Sequence, residues 1–262
     1  MNKYILFLLL ICECICFGQN IDNTIYVNYH FVSHFGANTT FNIDASLIAN
    51  NNSSLYVVYS RHDNYKYSPE NEEEDSNNTI KIFNNISNSK DVYVYQNSKD
   101  KTLYHTSNIK DKIYRIEERK QDFNWIVLKE TKLVGSFLCN KAEVNFRGRN
   151  YTAWFTTDIP ISSGPWKFSG LPGLILEIYD ESKTFSWVSK SIQFPYLEKV
   201  SIAEPETHDK IKITLKDYIE LVERERKNDD KMRNSKMNKD YTIISSVTKR
   251  AGIELTYEWE TN

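Results

Sequence analysis

Along most of the chain, β-branched and aromatic residues alternate with polar ones in short runs. "TIYVNYHFV" (24–32), "FNIDASLIA" (41–49) and "SLYVVYS" (54–60) have this period-two character, and the last two are joined by an Asn-rich turn at Asn50–Asn52. The same pattern predicts strands at 79–84, 91–96, 101–106, 112–118, 123–129, 131–146, 151–157, 173–180 and 183–193. A last strand is expected over 252–260, where Ile253, Leu255, Tyr257 and Trp259 alternate. Turn residues recur every ten residues or so, a spacing that suits an antiparallel sheet and not βαβ units. One helix is predicted, over about 214–228. Thr214 can cap it, Asp217 follows three residues on, and Leu215, Tyr218, Ile219 and Val222 form an i, i+3, i+4, i+7 stripe. The pattern therefore predicts a mainly β (α+β) protein.

One stretch breaks the alternation. The chain has 8 Gly and 6 Pro, and "PISSGPWKFSGLPG" contains Pro160, Gly164, Pro165, Gly170, Pro172 and Gly173. Each proline fixes φ and removes a backbone donor, while each glycine permits positive φ or close backbone approach. A stiff, irregular crossover follows, not a flexible linker. Trp166, Phe168 and Leu171 favour folding it back on the sheet, as a rigid lip. Two readings stand side by side: a rigid connection that launches the strand "GLILEIYD", or a clamp over a cavity.

The N-terminus changes the cysteine count. Lys3 precedes an apolar stretch from Tyr4 to about Ile15, which ends in helix-breaking residues near Gly18. That is the form of a cleaved signal peptide over 1–18, leaving 19–262 as a single domain with no later transmembrane segment. A lipid anchor would use Cys12, Cys14 or Cys16, but the residues before them are Ile11, Glu13 and Ile15, none of them small. Cys139 is then the one cysteine left, and its strand-like setting suggests a buried hydrophobe over a nucleophile. The net charge of -2 supplies no basic excess for nucleic acid or an anionic membrane. The acidic run at 69–78 lacks the spacing of a calcium loop and is expected to be a solvated loop insertion. Sequons such as Asn38 and Asn150 matter only in a glycosylating host.

Candidate chemistry is sparse. His30 and His34 are spaced i, i+4, but on a strand they lie about 13 Å apart, too far for one metal. Ser162 and Ser163 invite a hydrolase reading, yet no spacing ties them to an acid and one of His62, His105 or His208. No metal or cofactor motif is present, and no catalytic residue is assigned.

"GLPGLI" at Gly170–Ile175, preceded by "VGSFLCNKA" and "FRGRNYTAWFTTDIPISSGPWKFS" and followed at the end by "GIELTYEW", resembles the GLPGLI family. Its members are exported proteins of Gram-negative Bacteroidota with no established reaction. The resemblance implies a set of motif positions: Cys139, Ala142, Arg149, Trp154, Pro160, Gly164, Pro165, Gly170, Leu171, Pro172, Gly173 and Leu174. The arrangement is also loosely similar to periplasmic lipoprotein carriers, whose curved sheet holds an apolar ligand. The fold expected is one curved antiparallel sheet or half-barrel. The function expected is a non-enzymatic envelope protein, periplasmic, outer-membrane-associated or secreted. It would bind an apolar or peptide-like ligand, or an envelope protein partner, through Arg149, Trp154, Pro160, Gly164, Pro165, Trp166, Phe168, Gly170, Leu171, Pro172 and Gly173. A secreted hydrolase or peptidase using Ser163 or a histidine is the alternative.

Overall fold

The computed structural model describes residues 23–35, 39–58, 92–198, 200–206, 209–236, 250 and 252–260. The expected signal peptide, the early cysteines, Asn38, His62, the acidic run, the strand expected at 79–84 and His208 lie outside the described residues. Among the described residues there are twelve strands: β1 (Ile25–Phe35), β2 (Thr39–Ala49), β3 (Ser53–Val58), β4 (Val92–Asn97), β5 (Thr102–Ile109), β6 (Lys112–Arg119), β7 (Ile126–Val134), β8 (Phe137–Phe146), β9 (Arg149–Thr156), β10 (Leu174–Asp180), β11 (Phe185–Gln193) and β12 (Ile211–Thr214). One helix, α1 (Leu215–Lys236), follows directly. Thr214 caps it as the sequence predicts, accepting from the Asp217 amide at 3.2 Å.

All twelve strands form one open sheet in the order β12-β6-β5-β4-β3-β2-β1-β11-β10-β9-β8-β7. Every pairing is antiparallel except β12 with β6, which is parallel. The sheet is open but curls far enough for a hairpin turn near one end to reach a strand near the other. Arg147, in the β8–β9 turn, touches Glu118 on β6, although those strands stand near opposite ends of the order. Across the same interior, the Trp187 indole of β11 donates to the Tyr56 hydroxyl of β3 at 3.1 Å.

Two expectations need correcting. Residues 252–260 make no strand; they form an irregular strap across the rim, held because the Leu255 and Thr256 amides both donate to the Arg147 carbonyl. Those amides are thus committed to one acceptor and cannot form a ladder. The single run expected over 131–146 is two strands, turned at Gly135, whose φ of +59 suits a residue without Cβ. The four-residue strand β12 went unpredicted, since "IKIT" is too short to show a period.

Candidate functional site

The lip runs between β9 and β10. It is ordered by its own backbone: Ser163 and Ser169 form an isolated antiparallel bridge, the Phe168 amide donates to the Pro165 carbonyl, and Ile175 N donates to Ser163 O. Its glycines are needed for two different reasons. Gly170 has φ +96, a conformation costly for any other residue. Gly173 has no such φ; a Cβ there would sit 2.0 Å from the Thr156 carbonyl oxygen, and one at Gly164 would sit 2.9 Å from the Ile175 side chain. Trp166 also has positive φ, at 55°, a left-handed residue that no glycine signal announced.

One side of the lip is dry. Phe168 is fully buried and packs edge-on against Tyr151, Phe146 and Trp187, with Phe123 and Trp125 beside it. Trp166 stacks on Trp187, and the Trp125 indole donates to the Ser169 carbonyl at 2.9 Å. The lip fills the concave face beneath it. Ile159, Ile161 and Leu171 are buried there too, while Pro160 and Pro172 face solvent.

The other side is charged. Lys167 is the one charge between Asp158 and Glu177. Its Nζ donates to Glu118 Oε2 at 2.7 Å and to Glu254 Oε1 at 3.0 Å. Arg147 completes the cluster: Nη1 pairs with Glu118 and Glu254, while Nε and Nη2 fork onto Glu258 at 2.9 and 3.2 Å. The position of Arg147 follows from local sequence. Arg147 and Gly148 are the two loop residues of the β8–β9 hairpin, with φ of 43° and 83°, the left-handed pair of a tight I′-like turn. The His105 ring on β5 lies 3.3 Å from Glu118 without a hydrogen bond of good geometry.

Electrostatics follow from burial. The side chains of Glu118, Arg147 and Lys167 are only 2–3% exposed. Desolvation alone would raise the Glu118 carboxyl, but Lys167, His105 and Arg147 together hold it below the usual carboxylate range. Burial, and then the Lys167 charge, push the His105 imidazole downward, so the neutral ring is favoured. Burial pushes the Cys139 thiol up to about 11, which makes it a poor nucleophile.

A cavity of about 450 Å³ opens beside this cluster. It is lined by Glu117, Glu118, Arg119, Lys120, Asp122 and Arg147 together with Thr214, Leu215, Lys216, Glu258 and Trp259. None of the eleven binding residues expected from the sequence lines it. Arg149 is instead spent on structure, donating to Asp180 Oδ2 at 2.8 Å and to the Gly252 carbonyl at 2.8 Å. Trp154 is buried beneath Lys132, whose Nζ lies 4.5 Å from the ring centre and pairs with Glu177. The serine expectation finds little chemistry: Ser163 borders a polar niche of about 40 Å³ with Asn50, Gln96 and Ser169, and no histidine lines either cavity among the described residues. His30 pairs with Asp44 at 3.0 Å and His34 with Thr40 at 2.9 Å, so the two histidines have separate partners.

These features describe a mostly β protein whose open, curled sheet carries a lip packed on its core and an ion cluster that joins β6 to the β8–β9 turn. A family model described as a protein of unknown function (Porph_ging) matches residues 144–177, which run from the end of β8 through Arg147 and the lip into β10. Comparison with curated proteins gives no match. Among solved structures, two of PNGF-II are similar, at 12% and 14% identity and TM-scores of 0.49 and 0.48 over 76% of this chain. The chain spans about one third of their length, 33% and 32%. The LolA superfamily protein NE2245 from Nitrosomonas europaea is 7% identical, with a TM-score of 0.32, over 70% of this chain and 91% of its own.

Proposed function

We propose that this chain is an exported, GLPGLI-type envelope protein that binds a small peptide-like ligand without transforming it. Residues 1–18 are its signal peptide, 19–262 its single domain and 69–78 a loop insertion. The observation that carries the reading is the cavity of about 450 Å³ walled by buried, opposite charges, Arg147 and Glu118, with Trp259 and Leu215 as its apolar surfaces. Its volume lies within the usual range of ligand pockets, roughly 300–1,000 Å³. Fixed charges of both signs suit a ligand that carries both, and the indole and leucine suit an apolar side chain between them. Native mass spectrometry of the protein taken from its envelope tests this. A non-covalent adduct of small-peptide mass is expected, and it should be absent from a Leu215→Trp variant that fills the cavity. A wild-type protein that always flies bare contradicts the reading.

A protein partner is favoured by a different observation. β7 ends the sheet, and Ile126, Val127 and Leu133, with Leu138 of β8, are more than half exposed along it. Such an edge accepts an added strand. Photo-crosslinking from position 133 in the envelope should trap that partner, and an untrapped protein excludes this edge.

A further inference from the structure

We infer that Glu258 is an internal stand-in for a ligand carboxylate, so that the Arg147 fork is the point at which the cavity receives a carboxylate-bearing ligand such as a peptide C-terminus. The inference rests on the cavity reading above and adds the chemistry and the gate.

Arg147 holds three carboxylates that are not equivalent. The side chain of Glu118 is 2% exposed and that of Glu254 11%, whereas that of Glu258 is 46% exposed. The exposed one occupies the Nε/Nη2 edge, two parallel donors at 2.9 and 3.2 Å. That edge is the geometry by which a guanidinium recognises a carboxylate. Arg147 and Glu258 both line the cavity, so the fork is reachable from it.

Charge also permits the exchange. Lys167 and Arg147 balance Glu118 and Glu254 with the His105 ring neutral, and Glu258 adds one negative charge. A ligand carboxylate in its place leaves that sum unchanged. The displaced Glu258 moves into solvent from a position already half exposed, so little desolvation is reversed. Thr214, Leu215 and Lys216 also line the cavity, and the Lys216 ammonium adds a positive charge there.

The strap can release Glu258 without unfolding. It is fixed elsewhere: by Leu255 and Thr256 on the Arg147 carbonyl, by Gly252 on Arg149, and by the buried Tyr257 ring. Glu258 lies in a turn closed by the Glu260 amide on the Tyr257 carbonyl at 3.0 Å, so exchange at the fork calls for a change in its side-chain torsions and not in the strap backbone.

The test uses two probes, N-acetyl-dialanine and its C-terminal amide, titrated calorimetrically into the mature protein and into Glu258→Gln. Removing the stand-in charge should tighten the free acid roughly tenfold or more, leave the amide unchanged, and keep the thermal midpoint close to wild type. Arg147→Lys, which keeps the charge and loses the fork, should weaken the acid in both backgrounds. Equal affinity of wild type and Glu258→Gln for the acid overturns the inference while leaving the cavity reading intact. If neither probe binds either protein, the cavity reading fails with it.

Discussion

On one side of the lip Phe168 and Leu171 are sealed among aromatic rings; on the other, one residue away, Lys167 enters an ion cluster beside an open cavity. Both sides are buried, and both hold the curled sheet together, but they hold it by different physics. The apolar side gains from burial in proportion to area and is packed ring against ring. The charged side gains only if every ion keeps its partners, since a buried charge left alone is costly. A site whose partners include half-exposed Glu258 is the side that can exchange one partner for another. The lesson is that the Gly/Pro lip and the open cavity are neighbours and share no residues.

The largest effects should come from steric positions on the dry side. Gly173→Val drives a side chain into the Thr156 carbonyl, and the loss of stability should exceed about 4 kcal/mol, beyond the ordinary range for one substitution. Gly170→Ala meets nothing nearer than Trp125 at 3.7 Å, so its cost is conformational only, about 1–2 kcal/mol. Chemical denaturation of both variants reads the difference. Equal losses would mean that both glycines serve one purpose.

Next come the two sides compared directly. Phe168→Ala should cost about 3–5 kcal/mol through the cavity it leaves. Lys167→Met should cost about 3–5 kcal/mol by taking from Glu118 and Glu254 one of the two cations, Lys167 and Arg147, that they share. The two part when Lys167→Met is combined with Glu118→Gln. The double variant should recover stability beyond additivity, whereas Phe168→Ala combined with Glu118→Gln should be additive. An additive Lys167–Glu118 pair would show that the cluster is not coupled.

The smallest effect is in pH. His105 is depressed by burial, so above its ordinary value both folded and unfolded rings are neutral and it contributes nothing. As pH falls from about 7 to 5 the unfolded chain takes up the proton first, and stability drops. Glu118 is depressed as well, so the stability its charge supplies is present at neutral pH and is lost only in stronger acid, as pH falls through its folded value. His105→Phe should flatten the first step and leave the second. A melting temperature that rises between pH 7 and 5 in the wild type would contradict the sign.

Much of this fold was legible because its strands announce themselves. Eleven of the twelve described strands, β1 to β11, fall on runs the pattern predicts, and Thr214 and Asp217 mark the helix start as sequence rules require. The lip was legible as a stiff element through its prolines and glycines. The cluster was not, for a physical reason. It is assembled from β5, β6, a hairpin turn, the lip and the strap, and no local spacing records that the sheet curls far enough to join Glu118 to Arg147. Two signals did exist: a lone Lys167 within an apolar segment, and an arginine at the left-handed position of the "RGR" turn. A charge placed where burial is expected implies a partner, even when the sequence cannot say which one.

The central claim, that the guest sits on the charged side and not beneath the dry one, is tested most directly by hydrogen exchange. The protein purified from its native cells is compared with the same protein stripped by unfolding and refolded. Loaded protein should show added protection at 117–122, 147–148, 214–216 and 258–259, with no change at 164–171. Protection confined to 164–171, or no difference anywhere, would contradict it.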